Sequence, residues 1–139
     1  MPPLTRWFIK SAFVALIASL LIRAAMAVLP MMGHPLVATA LSPVFLHLFV
    51  WGWVTQMIFG VVYWMFPNYT PQQKYGNEGL WQATFWLFTI GLGLRVVGEP
   101  LAVLRPEALW GWLTALSALL QWLAALIFVG NTWGRVKGR

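Results

Sequence analysis

The sequence predicts an all-α integral membrane protein, an antiparallel bundle of four transmembrane helices with both termini cytoplasmic. Three observations carry this reading. Of the 139 residues, 60% are hydrophobic and 9% charged, where a soluble domain carries about 25% charge. Four long apolar stretches are separated by breaks rich in proline, glycine and asparagine. Ten tryptophans crowd the chain, and their amphipathic rings collect where bilayer meets water.

Each stretch is long enough to cross a hydrocarbon core of about 30 Å, which takes roughly 20 helical residues. The first covers about 7–29 and stops at Pro30. The second covers about 43–66, with Ser42 as N-cap, Pro43 in the first turn and Pro67 as stop. The third, about 80–98, is opened by Asn77 and closed by Pro100. The fourth, about 107–129, starts after Pro106 and ends at Gly130-Asn131. Helices satisfy their own backbone hydrogen bonds in lipid, so helices are expected and not strands. The loops are short, so 1–139 reads as one membrane domain with antiparallel neighbours. Lys10, the apolar run after it and Ala25-Met26-Ala27 imitate a secretory signal. Arg23 interrupts the approach to that cleavage-like site, and the segment is expected to stay as the first helix.

Lysine and arginine set the orientation. Arg6, Lys10, Lys74, Arg135, Lys137 and Arg139 fall on the side of the termini, and Arg105 alone falls on the other. Cytoplasmic loops carry the basic excess, which places both termini in the cytoplasm, and a multi-pass protein of the inner (cytoplasmic) membrane is expected. Trp7, Trp64, Trp81 and Trp133 should mark the inner interface, and Trp110 and Trp112 the outer one.

Charges within a span cost at least about 2.5 kcal/mol each at its centre and need a reason to stay there. Arg23 continues a stripe of small residues, Ala12, Ala15 and Ser19, that runs on to Ala27. Arg95 and Glu99 are four apart on helix three and face the same way. With His47 they gather near the outer surface, and His34 lies in the adjacent loop. The cluster Arg23, His47, Arg95 and Glu99 reads either as a structural ion pair with snorkelling arginines or as a site for an anionic group. On helix two, Gly52, Gln56, Gly60 and Tyr63 share a face suited to close helix packing. At 100° per residue, His47 lies about 140° from Gly52, on a second face with Trp51, Val54 and Ile58. That second face is expected to dock on a cofactor or another subunit.

The chemistry this chain can support alone is narrow. It has no cysteine and no aspartate, which removes thiolate metal sites and a Ser-His-Asp set. Gly91-Leu92-Gly93 sits inside a helix and cradles no phosphate. No metal site built from side chains alone, no nucleic-acid surface and no catalysis are expected. A haem b site needs axial ligands. His47 with His34, or with Met26, Met31 or Met32, are the candidates.

His47, Gly52-Trp53, Gly60 and Tyr63-Trp64-Met65-Phe66-Pro67, followed by Gly91 through Pro100, resemble segments of small four-helix proteins related to subunit I of haem–copper oxidases and nitric oxide reductases. The likeness spans about 90 of the 139 residues. It implies a non-catalytic accessory subunit of a respiratory complex, with helix two against a larger membrane subunit. Four spans and two histidines cannot build the six-histidine catalytic centre of the full-length enzymes. The resemblance also implies a role for His47 as ligand of a low-spin haem, with Arg23 and Arg95 as partners of its propionates. A haem b electron carrier is therefore the alternative expectation. A small dimeric transporter is a third, weakened because Glu99 is paired near the end of its helix.

Overall fold

The computed structural model describes residues 1–72 and 74–136. Among them the chain is helical without strands, and four helices are long and apolar enough to span a membrane. They are α1 (Pro3–Val28), α2 (Pro35–Met65), α3 (Glu78–Leu104) and α4 (Ala108–Trp133). Lys137 and Arg139, two of the cations counted for orientation, lie outside the described residues.

The helices are longer than the sequence signals indicate, because prolines expected at their ends lie inside them. Pro43 is within α2, which begins at Pro35 and not at Ser42. Pro100 is within α3, which runs on to Leu104. Proline is tolerated inside membrane helices because neighbouring groups satisfy the backbone it leaves unpaired. Pro30 does end α1, and Gly33 supplies the positive φ of 85° in the turn to α2. Asn77 caps α3 as its position suggests, its side chain accepting from the amides of Gly79 and Leu80 at 2.9 and 3.3 Å. At the other end of the chain, α4 passes through Gly130-Asn131 and continues to Trp133.

Consecutive helices run antiparallel. Ser11 meets Gln56 across α1 and α2, His47 meets Glu99 across α2 and α3, and Ser117 meets Gly91 across α3 and α4. The start of α1 and the end of α4 therefore share one end of the bundle. That end holds the aromatic core: Phe8, Phe59, Tyr63, Trp81, Phe85 and Phe88, with Phe128 stacked on Phe59 at 4.0 Å. Trp81 is fully buried there and donates to the carbonyl of Tyr75 at 2.7 Å. It is a core plug and not the interfacial anchor expected of it, whereas Trp7, Trp64 and Trp133 are exposed.

Close approach depends on glycine at the contacts. A Cβ on Gly52 would lie 2.7 Å from Cβ of Ala15 and 2.9 Å from Cδ2 of Leu92. At Gly60 it would lie 2.9 Å from Cβ of Phe8. The face of α2 assigned to packing is thus the one that meets α1 and α3: Gly52, Gln56, Gly60 and Tyr63 are all buried. Gly52→Val should lower stability by about 1–3 kcal/mol through overpacking, read from thermal unfolding in detergent. Gly93→Ala, where nothing lies within 4 Å, should be neutral or raise stability by up to about 1 kcal/mol.

Candidate functional site

Between His47 and Thr55 helix α2 changes its winding from α to π. In a π-helix the hydrogen bonds join residues five apart, so such residues come close to one side. His47 and Gly52 are five apart, and a Cβ on Gly52 would sit 3.8 Å from the His47 carbonyl. The α-helical expectation of opposite faces fails for this reason. His47 turns into the bundle, while Trp51, Val54 and Ile58 stay exposed.

There His47 joins Arg95 and Glu99. Its Nδ1 lies 2.8 Å from the Pro43 carbonyl and 3.1 Å from both carboxylate oxygens of Glu99. Arg95 Nη1 donates to Glu99 Oε1 at 3.0 Å and lies 3.3 Å from His47 Nε2. Carbonyl and carboxylate can only accept, so Nδ1 carries the proton and Nε2 accepts from the guanidinium. Arg95 Nε donates to Ser117 Oγ at 3.2 Å, and Ser117 donates to the carbonyl of Gly91 at 2.6 Å. The side chains of His47, Arg95 and Glu99 are 23, 16 and 11% exposed. One network thus ties α2, α3 and α4 together.

Arg23 is not part of it. Its side chain is exposed and has no hydrogen bond or ion pair with the described residues. The contact stripe of α1 steps by alternating fours and threes, through Phe8, Ala12, Ala15, Ser19 and on to Ile22. That spacing belongs to a left-handed crossing. Three further steps of four, from Ala15 to Ala27, rotate about 40° each and carry Arg23 and Ala27 off the contact. An exposed arginine this near a helix end can snorkel its charge to the headgroups. His34 is exposed at the start of α2, and Met31 and Met32 are exposed in the turn before it.

This arrangement does not fit a haem on His47, because both ring nitrogens are engaged and neither offers a free lone pair to iron. No group of three or more metal-ligating side chains occurs among the described residues.

A second polar group lies at mid-span. Buried Gln56 accepts from Ser11 Oγ at 2.7 Å and donates to Thr89 Oγ1 at 3.2 Å, joining α1, α2 and α3. Above it an apolar groove of about 350 Å³ opens between α1 and α3, with Ala18, Gly93 and Val96 on its walls. Gln56 is legible as a packing residue from its spacing; its hydrogen bonds depend on the register between helices.

The residue most completely missed by sequence reasoning is Arg135, counted only as a marker of orientation. It is fully buried, and Nε and Nη2 donate to the carbonyls of Pro67, Tyr63 and Phe66 at 3.0, 3.1 and 2.9 Å. These are carbonyls at the end of α2, which a helix C-terminus leaves without partners. Burial lowers the pKa of this guanidinium, while Tyr63 and Tyr75 raise it. A reciprocal pair closes the same end: the Asn77 amide donates to Asn131 Oδ1 at 3.1 Å, and Asn131 Nδ2 returns a bond to the Asn77 carbonyl at 3.0 Å.

Comparison with protein-family models, with curated proteins and with solved structures gives no match.

The network makes a sign-specific prediction. Glu99→Leu leaves Arg95 without its carboxylate and should cost about 3–5 kcal/mol. The double variant Arg95→Met with Glu99→Leu removes both charges and should be more stable than Glu99→Leu alone. Denaturant unfolding in detergent of the two variants and the parent checks this; equal or additive losses would contradict coupling.

Proposed function

We propose that this chain is a non-catalytic transmembrane subunit that packs on a larger membrane protein and stabilises it. The observation that carries the reading is the outward ridge of α2. Trp51 lies midway along Pro35–Met65 and is 36% exposed, with Val54 and Ile58 exposed beside it. Tryptophan favours the two interfaces of a bilayer. A partly exposed ring at mid-span is better accounted for by a protein neighbour than by lipid tails, and Trp122, exposed at the middle of α4, calls for one by the same argument. The polar groups of the span support the non-catalytic part, since His47, Arg95 and Glu99 bond to one another and to Ser117.

The class of partner rests on the pattern resemblance alone: a respiratory terminal oxidase of the haem–copper type or a nitric oxide reductase. In this reading both termini are cytoplasmic in the inner membrane, as the basic residues at that end favour. The transporter reading gains nothing from the geometry, because Glu99 is held by Arg95 and His47 together.

Mild solubilisation of native membranes and purification through a tag on this chain provides the test. The expected result is a stoichiometric larger subunit that is lost in Trp51→Ala while the variant chain itself remains folded. Migration of the chain with no other protein would overturn the proposal.

A further inference from the structure

Helix α4 rests almost wholly on α3, through Ser117, Gln121 and Ala124, and most of its remaining surface is uncovered. That surface is sorted by size. Leu109, Trp112, Leu116 and Leu119 are exposed at spacings of three, four and three. Ala108, Gly111, Ala115 and Ala118 repeat the same spacings one residue earlier and are exposed too. At 100° per residue the two stripes lie side by side, about 100° apart, and both point away from the buried contact with α3. Contact with lipid tails alone gives no reason to separate large residues from small ones, since packing is what favours small residues at helix contacts. A ridge of large side chains beside a groove of small ones is complementary to itself: under a two-fold axis each ridge enters the groove of the other copy.

Charge points to the same occupant. Arg105 and Glu107 are exposed at the foot of these stripes, and neither has an ion pair with the described residues. Copies in one membrane share an orientation, so their α4 helices pair in parallel. A two-fold axis beside α4 then sets Arg105 of each copy against Glu107 of the other. Farther along, Trp122 is exposed where the small stripe would continue, and its bulk holds the helices apart beyond that point.

We infer that the outer half of α4, from Arg105 to Leu119, is the interface of a parallel homodimer. The ridge Leu109, Trp112, Leu116 and Leu119 of each copy fills the groove Ala108, Gly111, Ala115 and Ala118 of the other, and the Arg105–Glu107 pairs close the end of the contact. This surface is distinct from the Trp51 ridge of α2, so a homodimer leaves that ridge free for another subunit.

The native chain has no cysteine, which suits a cross-linking test on the full chain in bilayers. Single cysteines at each position from 108 to 126 are oxidised and the disulfide-linked dimer is measured. Cross-linking should peak on the seam between the two stripes, at 108, 112, 115 and 119, fall several-fold at 110, 113, 114 and 117 on the far side of the helix, and decline past 122. In solution, Arg105→Glu should weaken the dimer at least several-fold in analytical ultracentrifugation, and Glu107→Arg added to it should restore the dimer. A monomeric parent chain, cross-linking without this period, or a double variant no better than the single would each overturn the inference.

Discussion

An arginine and a glutamate that remain inside an apolar bundle must neutralise each other, and the half of this structure away from the termini is arranged around that requirement. Spacing on one helix brings Arg95 to Glu99 at 3.0 Å. Each group then needs partners for the rest of its hydrogen-bonding capacity. Glu99 finds His47 on α2, and Arg95 finds His47 on α2 and Ser117 on α4. Two charges that would be costly one at a time become a three-helix clamp. The π-helical turn of α2 follows the same logic, since it is what turns His47 inward.

Close helix contact is the second constraint and is set by small residues. Gly52 and Gly60 admit α1 to α2, while a Cβ on Gly91 would lie 3.0 Å from Cγ of Gln121 and one on Gly98 3.0 Å from Cγ2 of Thr114. Hydrogen bonds at three depths then fix the register: the Arg95 network near one end, Ser11–Gln56–Thr89 at mid-span, and Arg135 with the Asn77–Asn131 pair near the termini. Apolar packing alone specifies register weakly where the lipid is as apolar as the core. The polar groups supply what leucine cannot.

Four helices, their order and the packing face of α2 were legible in the sequence because length and residue size report them directly. Pro43 and Pro100 misled the helix boundaries, as the usual reading of proline comes from helices in water. Arg95 and Glu99 were readable from a spacing of four. The inward turn of His47 was not, because a change from α to π winding alters which residues share a face without changing composition. Arg23 was placed with the cluster by steps of four, whereas the contact on α1 follows alternating fours and threes. Arg135 looked like one more basic residue near a terminus, and only the fold brings the end of α2 to it.

The central claim is that His47 is a structural hydrogen-bonding residue held between Glu99 and Arg95. Nitrogen-15 NMR of histidine-labelled protein in bilayers at neutral pH tests it most directly, with His34→Gln used to assign the signal. The expected spectrum shows the His47 proton on Nδ1 and an Nε2 that accepts from Arg95. A proton on Nε2 with Nδ1 bare, or an Nε2 bound to a metal, would contradict it.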